Sequence, residues 1–250
     1  MAGHSQFKNI MHRKNAQDSK RAKLFTKLVR EIISSVRAGQ ADPNFNPRLR
    51  AAISAARANN LPKDRIDNAI KKGSTVGEGD NYEEIRYEAY APGGVAFIVE
   101  ALTDNRNRTA SDVRSTFTKR GGALGETGSV NFMFERIGLI EYPASVSSED
   151  EMFETALEAG ADSCESDEFS HVIHCNPDSF NEVRDVLTKK FGDAQVSRLS
   201  WLAKDHIEID DIERAESLMK LIDTLEDSDD VQFVCGNYQF SDEVLKKLEG

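Results

Sequence analysis

Glu84-Ile-Arg-Tyr-Glu-Ala-Tyr-Ala-Pro-Gly-Gly-Val-Ala-Phe-Ile-Val99 is the stretch on which the fold turns. Ile85, Tyr87 and Ala89 recur with a period of two, and Val95, Phe97 and Val99 resume it beyond Pro92-Gly93-Gly94. That period belongs to a strand with one buried face, and a Pro-Gly-Gly break between two such runs is turn chemistry, so the segment predicts a β-hairpin. Upstream the period changes. Leu24, Phe25, Leu28, Val29, Ile32, Ile33 and Val36 recur at helical spacing, while Lys20, Lys23, Lys27 and Arg30 fall on the other side of the same wheel. This helix buries one face, offers a positive stripe on the other, and meets Gly39 at its end. Asn46-Pro47 supplies an N-cap and a first-turn proline for a second helix, with Leu49, Ile53 and Ala56 inward and Arg48, Arg50 and Arg57 outward. Pro62 opens a third, with Ile66, Ala69 and Ile70 inward, Lys63, Arg65, Lys71 and Lys72 outward, and Gly73 as its stop. Gly73 to Asn81, with glycines at 73, 77 and 79, reads as a linker.

Downstream of the hairpin the pattern predicts a helix from about Thr109 to Lys119, a glycine-rich turn from Gly121 to Gly128 and a third strand over Val130 to Phe134. Next come a strand at Gly138 to Tyr142, a helix at Glu149 to Glu158, strands near Asp162 to Cys164 and His171 to Cys175, a helix at Pro177 to Lys189 and a strand at Gln195 to Leu202. In order this is βαββαβ, the ferredoxin-like plan. A helix at Asp211 to Leu225, a strand at Val231 to Cys235 and a helix at Asp242 to Leu248 complete the chain. The expected fold is α+β and multidomain: an N-terminal helical bundle, then two ferredoxin-like α/β domains, one inserted in the other. The boundaries are 1–76 for the basic helical domain, 82–136 plus 206–250 for a discontinuous α/β domain, and 138–204 for the inserted one.

The charge is segregated. The formal net charge of −11 over 250 residues divides into +11 for residues 1–76 and −22 for the remainder. Clustered lysine and arginine displace counterions from phosphates, so this asymmetry points to nucleic acid, with the acidic clusters Glu149 to Glu151, Glu165 to Glu168 and Asp227 to Asp230 as solvated faces that restrict docking to the basic module. Cys164, Cys175 and Cys235 are odd in number and form no C-x-x-C pair, which argues against a disulfide framework or thiolate zinc and for a reducing compartment. No apolar run reaches the length of a membrane span and no signal-peptide core follows Met1, so a cytoplasmic protein without a membrane partner is expected.

His4, Lys8, Asn9, His12, Arg13 and Lys14 place cations and hydrogen-bonding groups in one short stretch, with Phe7 offering a ring to a base. Lys20, Arg21, Lys23, Lys27 and Arg30 continue it along the first helix. In Thr103-Asp-Asn-Arg-Asn-Arg-Thr109 a strand end leads to a helix N-terminus, where free amides attract anions and Arg106 and Arg108 add charge. The structural alternative has Asp104 capping the helix and both arginines paired with carboxylates. Gly121-Gly-x-x-Gly125-x-x-Gly128 is not a phosphate loop, because a helix precedes it and a strand follows. His171 and His174 lie three apart on a strand, so with Cys164 and Cys175 they diverge and no metal is expected. No catalytic grouping, cofactor or small-molecule substrate is indicated, and the chain reads as non-enzymatic.

Ala2-Gly-His-Ser5, His12-Arg-Lys14, Gln17-Asp18, Asn46-Pro-Arg-Leu-Arg50, Asn60-Leu-Pro-Lys-Asp64 with Ala69-Ile-Lys-Lys-Gly73, Pro92-Gly-Gly-Val95, Leu102-Thr-Asp-Asn-Arg-Asn-Arg-Thr109 and Gly121-Gly-x-Leu-Gly125 with Gly128-Ser-Val130 together resemble the YebC family, which includes the mitochondrial translational activator of cytochrome c oxidase. The resemblance runs from Met1 to the terminal helix. It departs from the family at Gln6-Phe7, where Lys-Trp is common, and at Ala89 and Ala91, where glycines are. It implies a cytoplasmic, three-domain, non-enzymatic protein. Members are usually described as DNA-binding transcriptional regulators, and some resemble ribosome-associated, RNA-binding translation factors. The expected partner is therefore nucleic acid, either DNA or the RNA of the ribosome.

Overall fold

The computed structural model describes residues 17–75 and 81–249 and is a mixed α+β structure. Among the described residues three helices lead: α1 (Gln17–Ala38), α2 (Pro47–Ala58) and α3 (Lys63–Ser74). Then follow β1 (Glu83–Ala91), β2 (Val95–Thr103), α4 (Arg106–Thr118), β3 (Ala123–Leu124) and β4 (Phe134–Pro143). Next are α5 (Glu149–Glu158), β5 (Ser163–Ser166), β6 (Ser170–Cys175), α6 (Phe180–Phe191) and β7 (Val196–Ala203). The last elements are β8 (Ile207–Ile209), α7 (Ile212–Glu226), β9 (Val231–Gly236), β10 (Tyr238–Phe240) and α8 (Asp242–Glu249). The described residues fall into two compact units, one drawn from 1–27, 80–135 and 201–250 and the other from 28–79 and 136–200.

In the first unit a four-stranded sheet runs in the order β3-β1-β2-β9. The hairpin forms as its turn chemistry requires, with Glu83 opposite Thr103 at one end and Ala91 opposite Val95 at the other. The expectation of a single buried face is corrected, because β2 is covered on both sides. Val95, Phe97 and Val99 enter a core with Val113 and Phe117 of α4, Leu218, Leu221 and Leu225 of α7, and Val244 of α8. Ala96 and Ile98 face the other way, against Val130, Phe134, Ala203, Phe233 and Cys235. A strand buried on both faces reads as a nearly continuous apolar run, which Val95 to Val99 is. Phe97 and Phe117 meet edge to face with centroids 5.6 Å apart, the arrangement ring quadrupoles favour.

Residues 130–133 are not a strand, and β4 begins only at Phe134. Val130 and Phe134 are buried, but a 3-10 turn over Asn131–Met133 lies between them and turns Phe132 to solvent, so the apolar alternation comes from a turn. The third strand of this sheet is Ala123–Leu124, inside the glycine-rich segment. What holds that segment is Glu88, only 3% exposed, whose carboxylate accepts from Gly128 N at 3.0 Å and Val130 N at 2.8 Å. A two-stranded parallel ribbon of β8 and β10 was not expected from sequence.

The second unit has a sheet ordered β5-β6-β4-β7, and α5 and α6 supply Met152, Ala156, Val183 and Leu187 to a core with Ile140, Tyr142 and Ile173. Here too lie the C-terminal half of α1 and the helices α2 and α3, with Ile32, Ile33, Val36, Leu49, Ile53 and Ile66 buried. Asn46 caps α2 by accepting from Leu49 N at 3.0 Å. Gly73 does not stop α3, which runs to Ser74. Its absent side chain is a matter of space, since a Cβ there would lie 2.8 Å from Val36 Cβ. Ser54 Oγ donates to Asp193 at 2.7 Å and Asn59 Nδ2 to Gln195 O at 2.9 Å, which ties α2 to the segment leading into β7. Two arginines expected outward are engaged: Arg48 Nε with Glu31 at 2.7 Å and Arg50 with Asp185 at 3.1 Å.

Candidate nucleic-acid interface

Of the candidate residues, His4, Lys8, Asn9, His12, Arg13 and Lys14 lie outside the described residues. Lys20, Arg21, Lys23, Lys27 and Arg30 sit on α1, where the apolar spacing forms a helix without Pro or Gly between Gln17 and Ala38. Spacing of three and four residues brings Lys20, Lys23 and Lys27 onto one stripe. The stripe is not bare. Lys23 Nζ is 2.8 Å from Asp227 Oδ1, and Lys27 Nζ donates to the main-chain oxygen of Glu226 at 2.6 Å. Lys20 is near enough to Asp223 to draw its carboxyl down, against burial, which is the larger effect and raises it. All three lysines therefore face the C-terminal end of α7, where the helix dipole concentrates negative potential and attracts cations. The Arg21 guanidinium lies 5.4 Å from the ring centroid of Phe25, a cation–π contact. Arg30 is half-buried.

In the loop before α4, the cap is Asn105 rather than Asp104: its side chain accepts from Arg108 N at 3.1 Å, and the helix begins at Arg106. Arg108 is committed to carboxylates, at 2.7 Å from both Asp104 and Asp230. Asp230 is 6% exposed and also accepts from Thr109 Oγ1 at 2.7 Å and Thr103 Oγ1 at 3.2 Å, so the guanidinium neutralises a buried charge. The hydrogen bonds that Arg108 donates, to Asp230 first and Asp104 next, raise its pKa further, and it stays charged at every working pH. Arg108 thus takes the structural role, and the same pairing removes Asp230 from the set of solvated acids. Arg106 is different: mostly exposed, it has a long contact of 3.7 Å to Glu83. Sequence reasoning passed over Thr103, Thr109 and Asp230 as a unit. The two threonines flanking the loop were the available signal, but the buried partner lies more than 120 residues away.

The remaining clusters are accounted for by packing. His171 is 2% exposed, with Nδ1 at 2.7 Å from Ser166 Oγ, and His174 pairs with Ser163 Oγ at 3.2 Å. Burial pushes the Cys175 thiol up to about 11 and raises that of Cys164. Among the described residues no group of three His, Cys, Asp or Glu is placed to hold a metal ion, and no helix is long and apolar enough to cross a membrane. On α3, by contrast, Lys63, Arg65, Lys71 and Lys72 are exposed or half-exposed.

The arrangement has known counterparts along its whole length. Residues 5–76 match the TACO1/YebC protein N-terminal domain, and residues 82–238 match the TACO1/YebC second and third domain. The chain belongs to the TACO1/YebC family. Among similar TACO1/YebC relatives is a "probable transcriptional regulatory protein" of Rickettsia bellii (strain OSU 85-389), 58% identical over 250 residues, covering 100% of this chain and 98% of the relative. One of Rickettsia felis with the same description is 55% identical over 251 residues, covering 100% and 99%. The crystal structure of a conserved hypothetical protein, Aq1575, from Aquifex aeolicus superposes with a TM-score of 0.86 at 46% identity, covering 91% of this chain and 94% of that one.

Proposed function

We propose that this TACO1/YebC chain is a non-enzymatic, cytoplasmic regulator of gene expression that binds nucleic acid, acting on DNA in transcription as the names of its relatives suggest. One observation carries the proposal: the +11 of residues 1–76 is concentrated in one stretch of the chain, and its stripe on α1 already holds oxygen acceptors, Lys23 against the Asp227 carboxylate at 2.8 Å and Lys27 on the Glu226 carbonyl at 2.6 Å. Phosphate oxygens ask for the same geometry. The proposed contact residues are His4, Lys8, Asn9, His12, Arg13, Lys14, Lys20, Arg21, Lys23, Lys27 and Arg30, with Arg106 as the available charge of the loop and Arg108 as its strut. The domain reading belongs to the same proposal: a basic domain 1–76, a discontinuous domain 82–136 plus 206–250, and an insert 138–204. The order β5-β6-β4-β7 supports a ferredoxin-like insert, and β3-β1-β2-β9 with α4 and α7 supports a related plan for its host.

The test is a titration of labelled duplex DNA with the full chain between about 50 and about 200 mM salt. Affinity is expected to fall steeply with salt. Replacing Lys20, Lys23, Lys27 and Arg30 together by Ala should shrink the log–log slope by about 0.9 for each phosphate that is no longer neutralised. An unchanged slope removes the stripe from the interface, and no salt-dependent binding of duplex DNA or of RNA overturns the reading altogether.

A further inference from the structure

The stripe and the acidic end of α7 belong to the same compact unit, and their pairing has the features of a displaceable one. The two groups are far apart in the chain: Lys27 and Glu226 are separated by 199 positions. Their pairing is exposed, with the Lys23 and Asp227 side chains 34% and 61% accessible. Exposed ion pairs of this kind are weak and screened by salt. No side chain of α1 from Lys20 to Glu31 is buried, whereas Ile32 to Val36 are, so the N-terminal half of the helix has no fully buried apolar anchor. The far side of the pairing is dense in negative charge: Asp223, Glu226, Asp227 and Asp229, together with the last carbonyls of α7. Carboxylate and carbonyl oxygens gathered there occupy the lysine ammonium groups as phosphate oxygens do.

Resting on the nucleic-acid reading above, we propose that the acidic end of α7 is a built-in competitor for the cationic stripe of α1. Nucleic acid reaches Lys20, Lys23 and Lys27 by displacing Asp223, Asp227 and the Glu226 carbonyl. The exchange swaps two carboxylates and a main-chain carbonyl for phosphate oxygens, so the stripe keeps oxygen acceptors in both states. Weak or sparse anions do not open it, and a continuous phosphate backbone does. The protein thereby discriminates between scattered surface charge and nucleic acid without reading a base.

The experiment uses the full chain with the isosteric pair Asp223→Asn and Asp227→Asn. It is compared with a control pair of equal charge change on the exposed face of α5, Asp150→Asn and Glu154→Gln. The first readout needs no nucleic acid: acylation of lysines by a water-soluble active ester, followed by mass spectrometry. Lys20 and Lys23 should react faster in the α7 pair than in the wild type and unchanged in the control. The second is affinity for duplex DNA, which should rise about threefold to tenfold in the α7 pair and less than twofold in the control. Equal gains in both pairs, or lysine reactivity that does not change, overturn the competitor and leave only long-range repulsion. If the wild type binds and the α7 pair binds no tighter, this proposal alone falls. If no form binds DNA or RNA in a salt-dependent way, the nucleic-acid reading fails and takes this proposal with it, whatever the lysines do.

Discussion

Arg106 and Arg108 are two residues apart and chemically identical, and their surroundings give them opposite jobs. Arg108 neutralises the buried carboxylate of Asp230, which two threonine hydroxyls also hold, while Arg106 extends into solvent. Removing a charged partner from a buried acceptor leaves that acceptor desolvated, at a cost of about 1–3 kcal/mol or more. Arg108→Gln is thus expected to lower the melting temperature clearly. Arg106→Gln should leave it within the scatter of surface substitutions, about 0.5 kcal/mol, and weaken nucleic-acid binding. Differential scanning fluorimetry of the two single variants separates them. Equal melting temperatures would mean that the Arg108 network contributes nothing to the fold.

At the scale of elements, how much the chain disclosed depended on length and on burial. The read bounds of the helix Glu149 to Glu158 coincide with α5, and the hairpin was legible because period and turn chemistry agree over nine-residue strands. Strands of two or three residues, β3, β8 and β10, carry too little alternation to be seen, and over 130–133 an alternation existed without a strand, which starts only at Phe134. Of the candidate interface, the cations were legible and their occupancy was not, because pairing with Asp227 or Asp230 is decided by the tertiary fold. Gly236, at the end of β9, shows the same limit. Nothing near it in sequence demands glycine, yet a Cβ there would lie 2.7 Å from both the Phe97 and Tyr238 rings, each almost wholly buried. Neither ring has room to move, so Gly236→Ala is expected to cost about 1–3 kcal/mol by overpacking. Chemical denaturation should show a lower midpoint with an unchanged slope. A midpoint equal to the wild type would mean that the core yields at this position.

For the molecule as a whole, alkaline pH acts on both units through buried phenols. Tyr142, fully buried in the second unit, donates to Gly192 O at 3.0 Å, and burial pushes its pKa up to about 12. Tyr238, in the core of the first unit, is raised well above 10.0, again by burial, and Tyr87 is raised for the same leading reason. An unfolded tyrosine ionises near 10. The folded state therefore holds these protons more tightly than the unfolded one, and the stability they lend is present in full below pH 10. As pH climbs from about 10 toward about 12 the unfolded chain ionises first, and that stability drains away. Absorbance near 295 nm should show part of the five tyrosines titrating normally and the rest only as ellipticity is lost. Tyr142→Phe forfeits one hydrogen bond, about 1 kcal/mol, at neutral pH, but its melting temperature should fall less steeply between pH 10 and 12 than that of the wild type. All the phenols ionising together near pH 10 with the fold intact would contradict the burial on which this rests.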